Sequence, residues 1–358
     1  MTQTPTTTPT PTDETVSFDS FTGLKNVINA WSLTPRDLER AVNIDLDDAG
    51  KVRRRRGRTL VNSEPHHSLF ASDNGTLIGV RSQVLGIIRP NYDFTPLKSV
   101  KAQPPVSQLA YVQVGDSIYF SSPDEAGVIS ESAESVSPWG PTKDIWLSPV
   151  INPTAGLPAV AGRLLGAPPL ASYLAYWNGR IYLAQGSTLW ATELYLYNVI
   201  DKTRNFFQFE APITMVGAVG DGVYVGTAEG CWFMSGASIK ELKRTRVFDS
   251  PVIPGSMVYM PAEMANPPQV DLGADQPVSL AILFMTVNGY CAGQNSGQCY
   301  NLTESKIIFP EAASASALYR TQDGMHQYIT TLNSGGSPTS SAAIGDYVDA
   351  ELIRAADR

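Results

Sequence analysis

From residue 63 onward one pattern of apolar and polar positions returns along the chain. A short apolar strand leads into a turn with Gly beside Asn or Asp, and a second strand rich in Tyr, Val and Ile follows. It reads "ASDNGTLIGV" at 71–80, "YVQVGDSIYFSS" at 111–122, "LAYWNGRIYLAQ" at 174–185 and "GAVGDGVYVGTA" at 217–228. Weaker copies are "FMTVNGYCAG" at 284–293 and "LYRTQDGMHQYI" at 318–329. Asn-Gly, Gly-Asp and Asp-Gly pairs predict tight hairpins because they supply the positive φ such turns need. With Gly75, Gly115, Gly179, Gly222, Gly289 and Gly324 as the turn glycines, the spacings are 40, 64, 43, 67 and 35 residues. The shorter spacings suit one four-stranded propeller blade each, at about 40 to 50 residues per blade. "GSTLWATELYLY" at 186–197 and "AEGCWFMSG" at 228–236 fit outer strands of such blades. The pattern predicts an all-β, β-propeller-like fold of about five to seven blades, with an irregular β sandwich or two β domains as the competing architectures.

The N-terminal part follows other rules. Residues 1–15, "MTQTPTTTPTPTDET", are Thr and Pro with almost nothing apolar, which predicts a flexible arm. Phe18, Phe21 and Leu24 look like anchors, and Thr34 before Pro35 predicts the start of a short helix ending near Arg40. Val42, Ile44 and Leu46 alternate with Asn43 and Asp45, as in a half-buried strand. Asp47 to Gly50 makes a turn, and Lys51 to Arg58 returns as a basic strand. The organisation read from this is an arm at 1–15, a docking segment with a basic hairpin at 16–62, a propeller body at 63–340 and a closing segment at 341–358. Residues 123–170, rich in Ser, Pro and Ala around Trp139 and Trp146, read as an insertion that crosses the body or contacts a neighbour. Residues 260–278 read as a second loop.

Charge sharpens the interest of the hairpin. The chain of 358 residues has a formal charge of −8, with 34 acidic and 26 basic residues. Lys51, Arg53, Arg54, Arg55, Arg56 and Arg58 are six of those 26, so the rest of the chain is more acidic still. That balance argues against a broad nucleic-acid-coating surface. The near-exclusive use of arginine favours bidentate pairing with carboxylate or phosphate. An acidic protein partner, another copy of the chain included, is the favoured reading; DNA phosphates or a solvated strand face are the others.

Little else suggests chemistry. Asp45, Asp47 and Gly50 match three positions of a calcium loop, but Arg56 stands where its bidentate glutamate belongs. Three histidines are too few for a multi-His metal site, and no phosphate loop, dinucleotide fingerprint or serine-nucleophile elbow occurs. Cys231, Cys291 and Cys299 read as reduced, packed thiols. No run of 18 apolar residues predicts a membrane span. Neither a cofactor nor a catalytic residue is expected.

One stretch carries a resemblance. "SFDSFTGLKNVINAWSLTPRDLERAVNIDLDDAGKVRRRRGRT" resembles the opening of tail structural proteins of tailed bacteriophages. Their pattern runs Phe-x-Gly-Leu-x-Asn, a spacer with Pro, then Ala-x-Asn-Val-Asp-(Ile/Leu)-Asp, a Gly turn and an Arg-rich strand ending in Gly. Phe21, Gly23, Leu24, Asn26, Pro35, Ala41, Asn43, Asp45, Asp47, Gly50 and Arg53 to Gly57 occupy those positions, with Ile44 in place of valine and Arg56 where proline often precedes the glycine. The resemblance implies a non-enzymatic virion component, made in the host cytoplasm and built into the tail. The role would be a nozzle or a propeller-bearing tail tip that forms a ring, typically a hexamer, around the DNA exit channel, with acidic loops facing the passing DNA. Implied partners are other copies and neighbouring tail proteins (adaptor, tube or baseplate, fibres). Phe21, Leu24, Asn26, Asp45, Asp47, Arg53, Arg54, Arg55, Arg56, Arg58 and Trp139 are the candidate contact residues. A glycan-binding propeller and a glycoside hydrolase are the alternatives.

Overall fold

The computed structural model describes residues 18–47, 49–57, 59–103, 107–149, 162–236, 239–264, 280–322, 325–334 and 350–351. The expected arm at 1–15 lies outside them, as does most of the 260–278 loop. The chain divides into two units: Met1–Gly57 with Ser305–Ile308, and Arg58–Glu304 with Phe309–Arg358.

The larger unit is all-β and propeller-like. Its strands form successive antiparallel meanders, here called blades 1 to 6. Blade 1 comprises His66–Ala71, Leu77–Arg81, Val84–Ile88 and Phe94–Ser99; blade 2 comprises Ala110–Val114, Ser117–Ser121, Ala126–Ser130 and Ser135–Ser137. Blade 3 comprises Tyr173–Trp177, Arg180–Gln185, Thr188–Ala191 and Phe206–Gln208; blade 4 comprises Ile213–Val219, Gly222–Thr227, Cys231–Ser235 and Lys243–Phe248. Blade 5 comprises Val258–Pro261, Leu280–Thr286, Gly289–Gly293 and Cys299–Asn301. Blade 6 comprises Ser314–Gln322 and Met325–Asn333, with Ala350–Glu351 as its third strand. Every repeat read from the sequence is a hairpin inside one of these blades.

Residues alternate across a strand, so a strand covered on both sides shows an apolar run whose odd and even members serve different layers. The second strands behave this way. In Arg180–Gln185, Ile181 and Leu183 pack toward blade 2, while Tyr182 and Ala184 pack toward blade 4. In Gly222–Thr227, Val223 and Val225 join blade 3, while Tyr224 joins blade 5. In Leu280–Thr286, Ile282 and Phe284 face blade 4, while Ala281, Leu283 and Met285 face blade 6. Among the described residues, each blade is thus tied to the next by an apolar cluster, which is the packing a radial array of sheets requires.

Two local readings change. Gly222 does not take a positive φ. It is small because a Cβ there would overlap the Phe233 ring and the Met234 carbonyl. Residues 126–137, expected within the insertion, are the two outer strands of blade 2. The outermost, Ser135–Ser137, offers little apolar pattern to read because it is short and mostly exposed. The rest of that stretch contributes Ile145–Leu147 to a small extra sheet with Arg163–Gly166 and Ile200–Asp201.

A buried charge cluster fastens this extra sheet. The Asp201 side chain is fully buried and its Oδ2 takes Arg163 Nε at 2.8 Å and Arg204 Nε at 2.7 Å. Its Oδ1 accepts from the Thr203 hydroxyl and backbone N–H. Burial pushes the Asp201 carboxyl up, but Thr203 and the arginines outweigh it and hold the group at about 2.

Candidate functional site: an arginine-rimmed hairpin

The smaller unit is built from the residues of the N-terminal motif. Gly23–Leu24 pairs in parallel with Asp37–Leu38. Thr34 and Pro35 do not start a helix. Thr34 to Asp37 forms a β-turn, with the Asp37 N–H donating to the Thr34 carbonyl at 3.0 Å. The Asp37 carboxylate then accepts from the Thr34 hydroxyl at 2.9 Å, the Thr34 N–H at 3.1 Å and the Thr22 hydroxyl at 2.5 Å. These bonds, Thr22's first, keep the Asp37 carboxyl below its usual range. A Thr-Pro pair with an acid two residues after the proline serves a helix start and a turn equally well. Here the ladder to Gly23 decides for the turn, and the nearest helical piece is the single 3-10 turn Ala30–Ser32.

The hairpin is present. Ile44–Leu46 pairs with Val52–Arg54 in the register Ile44↔Arg54, Asp45↔Arg53, Leu46↔Val52. Asp47 builds the turn: its side chain accepts from the N–H of Ala49 at 3.0 Å and of Lys51 at 2.9 Å. The Lys51 N–H in particular holds the Asp47 carboxyl below its ordinary value. Gly50 sits at φ +75°, and a Cβ there would lie 2.6 Å from the Phe21 carbonyl oxygen. Phe21 donates its N–H to the Gly50 carbonyl at 2.7 Å and stacks on Phe18, the ring centroids 6.4 Å apart.

The burial of the first hairpin strand departs from its alternation. Val42 is exposed, Ile44 and Leu46 are half-buried, and Asp45 is buried at 5% exposure. The acid is inside because Arg55 comes in with it, Nε to Oδ1 at 3.1 Å. Arg53 pairs more loosely with Asp47, at 3.5 Å on the surface. Lys51, Arg53, Arg54 and Arg56 are exposed, and Arg58 lies outside the described residues. The arginines therefore differ in what they do. Arg55 stabilises the hairpin from within, and Arg53, Arg54 and Arg56 line its rim.

Asn26 is an internal clasp. Its Nδ2 donates to the Ile308 carbonyl at 3.1 Å, its Oδ1 accepts the Ile308 N–H at 2.7 Å, and its own N–H donates to the Lys306 carbonyl at 3.0 Å. One side-chain amide thus pairs with the backbone of a segment 282 residues later in the chain, a link no local pattern announces. Leu24 is half-buried in the parallel ladder.

Trp139, expected at a partner contact, is a core residue of the larger unit. It packs against Tyr119 at 5.2 Å between centroids, and its Nε1–H donates to the Tyr197 carbonyl at 2.8 Å. A buried indole needs such an acceptor, and this one fixes Trp139 between blades 2 and 3. The three cysteines are free thiols, with Cys231 and Cys291 buried and pushed up by their surroundings. Among the described residues no group of three or more His, Cys, Asp or Glu side chains is placed to hold a metal ion, and no helix is long and apolar enough to cross a membrane.

No family model and no curated protein matches the chain. Similar solved structures include the extracellular domain of a putative one component system from B. thetaiotaomicron, with TM-score 0.44 and 12% identity over 76% of this chain. The chain spans 31% of the length of that protein. BBS1N in complex with ARL6DN scores 0.44 at 11% identity, covering 82% of this chain and 84% of that one. An auxiliary nutrient binding protein from Bacteroides thetaiotaomicron scores 0.41 at 8% identity, covering 74% and 66%.

Proposed function

We propose that the chain is a structural protein of a bacteriophage tail, a nozzle or tail-tip component that works by shape and contact and catalyses no reaction. The observation that carries this reading is how the motif residues are used. Gly23, Leu24, Asn26, Asp45, Asp47 and Gly50 build a small self-clasped unit, and Arg53, Arg54 and Arg56 remain exposed on it. A piece of chain devoted to holding one hairpin in shape, with a basic rim on an acidic protein, suits docking onto acidic neighbours. In this reading the rim meets another copy or an adjoining tail protein, the propeller-like unit forms the wall of a ring, and genomic DNA passes through it.

Mass spectrometry of purified virions tests the setting, and absence of the chain from the particles ends the proposal. The rim is tested by Arg53→Ser, Arg54→Ser and Arg56→Ser together, leaving Arg55 in place. Assembly measured by light scattering should weaken while the monomer's unfolding midpoint stays put. Intact assembly with impaired DNA retention would move the rim's role from protein to phosphate.

A further inference from the structure

The outer strands of the six blades offer very different edges. Those of blades 2, 3 and 5 are three residues long, and blade 6, among the described residues, ends on Ala350–Glu351. Blade 1 ends on Phe94–Ser99, where Pro96 has no N–H to offer a neighbour. Blade 4 ends on Lys243–Phe248, six residues without proline. Among the described residues it pairs on one side alone, with Cys231–Ser235. Its first four residues are exposed.

This edge also inverts the sign of the protein. Lys243, Arg244 and Arg246 lie on it, in a chain of net charge −8. The two arginines lie over aromatic rings. The Arg244 guanidinium carbon sits 4.6 Å from the Trp232 ring centroid and 5.2 Å from that of Phe209, and that of Arg246 lies 5.3 Å from Trp232. Arg244 Nη1 also donates to the Gln208 carbonyl at 3.3 Å, and Arg246 bonds the Glu229 carbonyl and Asp249. Stacking on aromatic faces removes much of the rotamer freedom these side chains would otherwise lose on meeting a partner.

We propose that Lys243–Phe248 is a docking edge for an extended acidic segment of a partner protein, which adds to blade 4 as a further strand. Main-chain hydrogen bonds would supply the pairing and the partner's carboxylates would meet Arg244 and Arg246, which lie on one face of the strand over Trp232. A second copy presenting the same edge does not fit, because Lys243, Arg244 and Arg246 of both copies would be crowded into one two-stranded ribbon of like charge. The same charges that keep such an edge from pairing with itself make it selective for the opposite sign. The proposal is independent of the N-terminal unit and of its reading as a tail component.

The test uses the full chain and a labelled peptide of about eight residues alternating Glu with Val, a length matched to one strand. Fluorescence anisotropy should show saturable binding that weakens with added salt. Arg244→Glu with Arg246→Glu should weaken it roughly tenfold or more, with the milder Arg244→Gln giving a smaller loss should the double variant fail to fold. Methylating alternate backbone nitrogens of the peptide should abolish binding. Four results would each overturn the proposal: no saturable binding, equal binding of a matched peptide alternating Lys with Val, undiminished binding of the methylated peptide, or full displacement by a short oligothymidylate that binds more tightly.

Discussion

The Asn26 clasp gives the most direct test of the smaller unit. Asn26→Ala removes two side-chain hydrogen bonds to Ile308 and leaves the backbone bond from Asn26 to Lys306 in place. Each such bond contributes about 0.5 to 1.5 kcal/mol net, and these lie at the surface, which puts the combined loss at about 1 to 2 kcal/mol. Because 305–308 is held as part of this unit, the loss falls on local opening before it falls on global unfolding. An opening equilibrium shifted by that amount speeds exchange roughly 5- to 30-fold. Hydrogen exchange read by mass spectrometry on peptides spanning 305–309 should show it, with blade 2 peptides unchanged. Asn26→Asp is the sharper variant. It keeps the acceptor for the Ile308 N–H but sets a carboxylate oxygen against the Ile308 carbonyl, so exchange should be at least as fast as in the alanine variant. If exchange at 305–309 is unchanged in both variants, the clasp does not hold this segment and the reasoning fails.

The arginines of the hairpin should separate by burial: Arg55→Ala removes the ion pair that goes inward with Asp45 and should cost about 1 to 3 kcal/mol of the unit's stability, whereas Arg54→Ala should cost within about 0.5 kcal/mol, both read by urea unfolding with a probe in the smaller unit. Asp201 carries a pH signature. Its folded value of about 2 lies below the ordinary 3.8, so its contribution is complete above about pH 5 and is lost as the pH falls through 2. The lowering corresponds to at most about 2 kcal/mol, so the deficit of Asp201→Asn relative to the native protein should narrow by up to that amount between pH 6 and pH 2. A deficit that stays constant on acidification would mean the carboxylate is not the group that fastens the extra sheet.

The hairpin turns were legible because their chemistry is local: Asp47 and Gly50 declare a turn whatever surrounds them. The blades were legible for a related reason, since a strand buried on both faces shows as an apolar run ending in a glycine-rich corner. What escaped depended on partners distant in sequence. Asp45 reads as a solvent-facing position until Arg55 folds over it. Asn26 reads as an ordinary polar residue until Ile308 arrives. Thr34 and Pro35 suit a helix start until the ladder to Gly23 claims Asp37. The basic edge at Lys243–Phe248 is silent in the sequence because only the stacking of Arg244 and Arg246 on Trp232 distinguishes it from a solvated run of charge.

The separation of 282 residues between Asn26 and its clasp partner Ile308 sets an order of events on the ribosome. At roughly 5 to 20 residues per second, about 14 to 56 seconds pass between the two emerging. The hairpin forms early from its own turn, but the clasp on Asn26 waits until blade 5 has been translated in full. Under the assembly role proposed for it, a unit completed so late would be withheld from its neighbours until most of the body exists, and half-made chains would be poor competitors for an assembly site.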